Sequence, residues 1–510
     1  MVQRSFLGAY GPFVIAAIAG AVSALGQAPY DQPLALMFGL TVAFALMQLP
    51  RSMMQMALIG AAFGCGYFSL ALAWITEPFM IDADRYGWMA PFALVLLSVG
   101  MALFWALAFG AARALSDRAW PLIVTWTGAE MLRAYILTGF PWASPAQAFV
   151  DSMVGQGLSW VGPHGINLAM MCVAFALSHA ALGRGRVILR TGQIALALCT
   201  VALITLPANA PPASMSAHHI RMIQPNVPQE LKWNPDYVRT FFERHLELTA
   251  QATEQGAPWP DLVIWPESAL PWRLEGAGPT LGMIASAAAG TPVILGANRG
   301  QGTRVFNALA LLDSAGLPVQ VYDKHHIVPF GEYIPLGGLL SRFGIRGMAA
   351  TEGDGFSRGP GPQLLDLGPL GRALPLICYE AVFAHDVGGT EDRPDLLIQI
   401  TNDAWFGKNS GPQQHFAQAR MRAIEQGLPM LRTANTGISA VIDPWGRVLH
   451  SLPLGVMGII DAPLPLPRDP TIYSVTGDKP LFLFLTMLLC VLTIRARRYR
   501  KNIDGPQARA

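Results

Sequence analysis

Charge is what this sequence has least of. Asp, Glu, Lys and Arg make up 13% of its 510 residues, while apolar residues reach 52%. Ordinary soluble domains carry about 25% charged residues, so a wholly soluble chain is not expected. The formal net charge is +2, with none of the basic excess that nucleic-acid binding requires, so no nucleic-acid partner is expected. Cysteine is also scarce: Cys65, Cys172, Cys199, Cys378 and Cys490. Four of these fall in long apolar runs, and Cys378 stands alone in the polar part of the chain. It has no evident disulfide partner, and no two cysteines have metal-ligand spacing. Neither a metal nor an organic cofactor is implied.

The apolar residues are concentrated. Seven runs fill residues 1–208, at about 10–25, 33–49, 56–75, 89–112, 119–137, 164–182 and 191–207, and an eighth covers about 480–494. Roughly 20 apolar residues span a bilayer. Several runs are shorter, with polar caps and interfacial aromatics to make up the length. Pro12, Gly20, Pro91 and Gly100 are tolerable inside membrane helices. About eight transmembrane helices are therefore expected. Arg4, Arg51, Arg113, Arg118, Arg184, Arg186, Arg190, Arg495, Arg497, Arg498, Arg500 and Lys501 all fall on one side of an alternating topology. The loop 76–86 instead carries Glu77, Asp82 and Asp84 against Arg85. The positive-inside rule then puts both termini in the cytoplasm and 209–478 outside it. The first run has features of a signal peptide, with Arg4 before it and a cleavage-like end at Ala28. Retention is the expectation, because the other runs already mark an integral membrane protein.

Within the helical part, Glu130 and Arg133 lie one turn apart and suit a structural ion pair. The loop Thr138-Gly-Phe-Pro-Trp142 reads as an interfacial loop, with lipid contact by Trp142 and plain anchoring at the membrane surface both open. After Pro207 the pattern changes. Short apolar runs at 219–224, 261–265, 292–295, 305–312, 319–322, 373–378, 396–400 and 438–442 read as strands. Stretches 236–255, 281–289 and 415–425 read as helices. Strands with helices between them predict a layered α/β domain of about 250 residues. The Gly- and Pro-rich stretch 345–363 is expected to be a mobile loop, and the basic tail after Ile494 to be disordered. Three segments result: a membrane domain 1–208, a polar domain 209–478, and a last helix with its tail at 479–510.

Three chemically useful residues follow strand candidates: Glu267, Lys324 and Cys378. Each has a plain alternative, as a helix cap, a solvated charge and a core residue respectively. Only the fold could unite them. If united, they supply a base for the thiol, a cation for an oxyanion and a nucleophile, which are the parts needed for covalent acyl transfer. His325, His326 or His415 could instead provide a Cys-His pair, and sequence leaves both options open.

The runs Trp265-Pro-Glu267, Tyr322-Asp-Lys324-His-His-Ile-Val-Pro-Phe-Gly-Glu332, Ile377-Cys378-Tyr-Glu380 and Thr401-Asn-Asp-Ala-Trp-Phe-Gly407 resemble the nitrilase superfamily. Gln224-Pro-Asn-Val-Pro-Gln-Glu-Leu-Lys-Trp233 and Gln414-His-Phe-Ala-Gln-Ala-Arg-Met-Arg-Ala-Ile-Glu425 extend the likeness to a membrane-embedded acyltransferase branch. Ile327, where Leu is expected, is a mild departure. The resemblance implies a nitrilase-like α-β-β-α sandwich joined to the helical membrane domain. It implies Glu267 as general base, Lys324 as oxyanion stabiliser and Cys378 as nucleophile. Glu332 would support Lys324 or serve as a second acid/base. Tyr379 and Glu380 would shape the pocket, with Trp233 and Asn307 beside it. Loop residues Met348, Phe356, Trp405 and Phe406 could meet acyl chains. The implied donor is a phospholipid and the implied acceptor a diacylglyceryl lipoprotein. The implied setting is a bacterial inner membrane, with the catalytic domain on the periplasmic side. A membrane-tethered amidase and a non-catalytic lipoprotein-binding protein are the alternatives. The scarcity of ionisable residues in the apolar runs, beyond Glu130 and Arg133, argues against a transporter.

Overall fold

The computed structural model describes residues 6–182, 187–334 and 355–504. Met348 and the arginines at 4, 184 and 186 lie outside them, as does most of the expected loop 345–363. The chain divides into two compact units, Met1–Asn209 with Val475–Ala510, and Ala210–Ser474.

The first unit is helical. Its long helices are Phe6–Ala24, Pro33–Leu46, Met53–Ala71, Ala90–Leu115, Pro121–Tyr135, Leu158–Ala181, Val187–Thr205 and Lys479–Asp504. Each coincides with an apolar run of the sequence. Local chemistry sets their starts: Pro33 and Pro121 occupy the first helical position, where a missing N–H costs nothing, and Ser52 and Gln55 form a reciprocal capping box. Among the described residues, Met53–Ala71, Ala83–Leu115, Met153–Ala181 and Lys479–Tyr499 are long and apolar enough to cross a membrane. Small residues let helices touch. A Cβ on Gly20 would stand 2.0 Å from the Phe63 carbonyl oxygen, and one on Gly66 would stand 2.0 Å from that of Ala17. Such close backbone approach is how apolar helices pack without a hydrophobic driving force between them.

An aromatic cluster fills the centre. Trp105 lies 4.7 Å from Phe68, 4.9 Å from Tyr67 and 5.0 Å from Trp126, ring centre to ring centre. Two charges of this unit, Glu130 and Arg133, are buried and paired beside it. Arg133 donates to Glu130 at 2.6 Å and 3.2 Å and to the Trp142 carbonyl at 2.7 Å, and the Trp105 indole donates to Glu130 at 2.7 Å. The expected ion pair is therefore a buried hub tying two helices to the 138–142 loop. Residues 505–510 lie outside the described residues, and over residues 495–504 the tail is not the disordered segment expected: the last helix runs on to Asp504. Its Arg, Lys and Tyr residues are adequate helix formers that continue a helix already nucleated.

The second unit holds two six-stranded sheets. The first contains β1 (Met215–Gln224), β2 (Leu262–Ile264), β3 (Val293–Gln301), β4 (Arg304–Leu312), β5 (Pro318–Asp323) and β12 (Gly458–Pro465), in the order β12-β1-β2-β3-β4-β5. The second contains β6 (Leu365–Asp366), β7 (Arg372–Ile377), β8 (Leu396–Thr401), β9 (Met430–Ala434), β10 (Ser439–Ile442) and β11 (Val448–Leu452), in the order β11-β10-β9-β8-β7-β6. Both have a parallel centre with antiparallel flanks.

Alternation along the strands builds the layers. Val263, Val293, Leu295, Ala310 and Leu312 face helices Pro235–Ala250 and Gly278–Ala287, through Phe242, Leu248, Leu281 and Ile284. Leu374, Leu376, Leu397, Met430 and Ala440 face helix Gly411–Gln426, through Ala419 and Ala423. The opposite faces, with Ile264, Ile294, Ile377, Ile398 and Ile400 buried, meet each other, β1 against β9 and β4 against β7. The result is an α-β-β-α sandwich.

Four strands were not foreseen. β9 carries the fully buried Arg432 at its centre, which breaks the apolar signal. β12 contains Pro463 and Pro465, β11 contains His450 and Ser451, and β6 is only two residues long.

Candidate active site

The sandwich places Glu267, Lys324 and Cys378 just beyond the C-terminal ends of β2, β5 and β7. Asn307 on β4 completes the frame, since its carbonyl accepts the Lys324 N–H at 2.9 Å. Lys324 Nζ donates to Glu332 Oε1 at 2.9 Å and lies 3.6 Å from Glu267 Oε1. The Asn307 amide donates to both carboxylates, at 2.8 Å to Glu267 and 3.1 Å to Glu332. Backbone N–H groups hold the remaining oxygens. Asn402 donates to Glu267 Oε2 and Val328 to Glu332 Oε2, each at 2.8 Å. All five side chains, including Cys378, are buried.

The electrostatics follow from this geometry. Burial alone would push the Lys324 ammonium toward its neutral form, but Glu332, Glu267 and Cys378 outweigh it and hold the charge firmly. Burial pushes the Cys378 thiol well up, Glu267 pushes it further, and Lys324 offsets only part. These effects favour a thiol at rest, and a thiol needs a base in order to act as a nucleophile. Cys378 adopts φ +51°, a left-handed conformation unusual for a side chain that is not glycine. Its carbonyl turns inward, 3.0 Å from both Gln399 Nε2 and His415 Nε2.

Glu380 is fully buried and braces this turn from below. It accepts the Ile377 N–H at 2.7 Å, the Tyr322 hydroxyl and the His325 N–H at 2.8 Å each, and the His326 N–H at 3.2 Å. It therefore ties β7 to the loop after β5. Tyr379 is buried edge-on to Phe383, 4.9 Å between ring centres. Trp233 is half exposed and packs beside Lys232, whose ammonium lies 5.4 Å from its ring centre. Phe406 is buried against the His415 ring, while Trp405 and Phe356 are part-exposed. Trp142 is a buried residue of the helical unit, its ring 4.5 Å from that of Trp74. The Cys-His alternative gains no support from geometry: His415 meets the Cys378 carbonyl, and His325 and His326 face Glu380 and Asp386.

Sequence reasoning did not single out several supporting groups. Lys232 donates to the Glu267 carbonyl at 3.2 Å, and burial pushes its pKa down to about 8 against a partial restoring pull from Glu267. Asn402 is clasped by Gln229 and Asn435. Asp403 and Arg432 form a buried cluster behind Cys378 with His415, which the sequence offered only as a possible partner of the thiol. The signal for Asn402 and Asp403 was the Thr401-Asn-Asp run, whereas Arg432 sat in an unrecognised strand. As a possible cation site, His325, His326 and Asp386 each bring one donor atom within 4.8 Å of the others. Those atoms already serve one another: His326 Nδ1 lies 2.7 Å from Asp386, and His325 bridges Glu380 at 2.7 Å and Asp386 at 3.5 Å.

The fold and this cluster of carboxylates, ammonium and thiol define a nitrilase-type domain. A carbon-nitrogen hydrolase family model matches residues 220–468, and a model for the apolipoprotein N-acyltransferase N-terminal domain matches residues 19–176. The chain is 37% identical over 512 residues to the apolipoprotein N-acyltransferase of Rhodopseudomonas palustris, covering 95% of each chain. It is 37% identical over 516 residues to that of Bradyrhizobium diazoefficiens, covering 96% of each. With that of Caulobacter vibrioides it shares 35% identity over 516 residues, 96% of this chain and 95% of the other. The chain belongs to the apolipoprotein N-acyltransferase family.

Two predictions arise from the site. A Cβ on Gly296 would stand 2.5 Å from the Ser268 nitrogen and 2.7 Å from Glu267 Cα. Gly296→Ala should therefore destabilise the domain by about 1–3 kcal/mol through overpacking at the Glu267 turn. An unchanged denaturation midpoint would refute that tight approach. For His325, burial lowers the pKa, but Asp386 and Glu380 outweigh it and raise it to about 9. A raised folded-state pKa stabilises fully below the unfolded value of about 6.5 and loses that effect as pH rises through 9. The melting temperature gap between wild type and His325→Gln should be widest near pH 6 and narrow toward pH 9.5. A gap independent of pH would contradict this.

Proposed function

We propose that this protein moves a fatty acyl chain from a membrane phospholipid to the α-amine of an N-terminal diacylglyceryl-cysteine on a lipoprotein. The observation that carries the reading is the burial of Cys378, Lys324 and Glu267 at the ends of three strands, with the Lys324 ammonium 3.6 Å from Glu267, in a chain of this family.

In the first half, the Cys378 sulfur attacks the ester carbonyl carbon while Glu267 takes the thiol proton. The carbonyl electron pair moves to oxygen, where the Lys324 ammonium stabilises it. A trans peptide sends its C=O and N–H to opposite edges. With the Cys378 carbonyl turned to Gln399 and His415, the Tyr379 N–H points the other way and is the natural second donor to that oxyanion. Collapse breaks the bond to the glycerol oxygen, which leaves as a lysophospholipid with the proton from Glu267. A thioester on Cys378 remains. In the second half, the lipoprotein amine attacks the thioester carbonyl, Glu267 takes the amine proton, the carbon–sulfur bond breaks, and Glu267 returns that proton to the leaving thiolate. Glu332 and Asn307 hold Lys324 and Glu267 in place throughout, and Glu380 holds the turn that carries Cys378 and Tyr379. Trp233 and Trp405 are candidate lipid contacts, whereas Trp142 is buried against Trp74. Phe406 acts through packing on His415.

In this reading, all eight apolar helices cross the membrane. The one-sided distribution of basic residues supports cytoplasmic termini and an extracytoplasmic catalytic unit. Spans of this number suit an enzyme whose two substrates are both lipids better than a simple tether.

The test supplies phospholipid with a labelled acyl chain and a synthetic peptide bearing a diacylglyceryl-cysteine N-terminus. Label should enter the peptide as a hydroxylamine-resistant amide. Glu267→Gln should slow transfer by about 10²–10⁴-fold, and a peptide with its amine blocked should receive none. Label released only as free fatty acid would instead favour the hydrolase reading.

A further inference from the structure

Behind the proposed nucleophile lies a buried polar cluster to which the chemistry above assigns no role. Asp403, His415, Gln399 and Arg432 are each fully buried. Arg432 donates to Asp403 Oδ2 at 2.6 Å and to Gln399 Oε1. The second contact fixes which way the Gln399 amide points: its nitrogen must face Cys378 and His415. That nitrogen lies 3.0 Å from the Cys378 carbonyl oxygen and 3.1 Å from His415 Nε2. His415 Nδ1 lies 2.9 Å from Asp403 Oδ1, and a carboxylate can only accept, so Nδ1 carries a proton. Burial and then Arg432 disfavour a second ring proton. The bare Nε2 then accepts from one N–H of Gln399, and the other N–H goes to the Cys378 carbonyl oxygen. That oxygen also lies 3.0 Å from Nε2, so two acceptors meet there and the Gln399 amide is the donor that holds both. Arg432 neutralises Asp403.

Such a cluster is costly to bury unless complete, and complete it is rigid. On the side of the nucleophile it ends at the carbonyl of Cys378, the residue held at φ +51°. We propose that His415, gripped by Asp403, is a positioning residue: it locks the Gln399 amide onto the Cys378 carbonyl and so fixes the directions of the thiol and of the Tyr379 N–H. The proposal rests on Cys378 being the acyl-accepting thiol.

Two substitutions separate this role from a merely structural one. Asparagine at 415 can keep the Nδ1 contact to Asp403 but leaves nothing where Nε2 stood. Glutamine reaches the Nε2 position and offers an amide there to Gln399 or the carbonyl. Acylation of Cys378 by phospholipid in a single turnover, and its alkylation by iodoacetamide, would both be followed by intact mass in the full-length protein. His415→Asn should slow acylation by about 100-fold, the scale of a small misplacement of reacting groups, and slow alkylation as well. His415→Gln should recover most of both rates, with phospholipid affinity unchanged in either variant. Equal rates in the two variants, or better rescue by asparagine, would overturn the proposal. If either variant fails to fold, Gln399→Glu tests the same clasp: it keeps an acceptor for Arg432 and removes the donor to Cys378. Unchanged acylation in that variant would likewise overturn it. A wild type that is alkylated at Cys378 but never acylated would instead sink the functional reading on which the proposal rests.

Discussion

The catalytic unit depends on the burial of one ammonium between two carboxylates. Lys324 leaves water at a desolvation cost of several kcal/mol, which a single partner repays only with excellent geometry. Glu332 at 2.9 Å and Glu267 at 3.6 Å supply two, and Asn307 bridges them. This arrangement carries one net negative charge while Cys378 is a thiol. Ionising the thiol would add a second in a desolvated space, which is why the sulfur stays protonated until a carbonyl arrives to take the charge. In the proposed reaction the proton and the charge move together as sulfur attacks, the proton to Glu267 and the charge to an oxygen beside Lys324.

Everything near this group is arranged to hold it still. Glu380 gathers four donors from β5, its following loop and β7. The loop holding Gln229 and Lys232 grips Asn402 and the Glu267 backbone. Gly296 leaves room for the Glu267 turn to press against β3. Buried polar groups on this scale destabilise a fold when any member is missing. They persist where a fixed geometry matters more than the last kcal/mol of stability, as in catalysis that relies on preorganised charge.

Much of this was legible in the sequence. The long helices of the first unit announced themselves by their apolar runs, and eight of the twelve strands among the described residues by short β-branched and apolar runs between turns. Cys378, Lys324 and Glu267 could be named as candidates because each ends such a run. Their meeting could not be deduced from spacing; the motif resemblance suggested it, and the sandwich accounts for it by stacking the ends of β2, β5 and β7. The misses share a physical cause. Arg432 and Gln399 face the buried side of strands, where a charge or amide breaks the apolar pattern that identifies a strand. Their partners come from distant segments that no local window contains. Phe406 read as a lipid-facing aromatic because sequence gives hydrophobicity without burial, and its packing on His415 is a tertiary fact. The helical tail was misread for the opposite reason, since its charge suggested disorder while the preceding helix supplied the nucleus.

The central claim is that Cys378 carries the acyl chain as a thioester. The most direct measurement is the intact mass of the purified protein after incubation with phospholipid and no acceptor. The account predicts a gain of one acyl group that hydroxylamine removes and that Cys378→Ala abolishes. A folded wild type that gains no mass, or a gain that survives in Cys378→Ala, would contradict it.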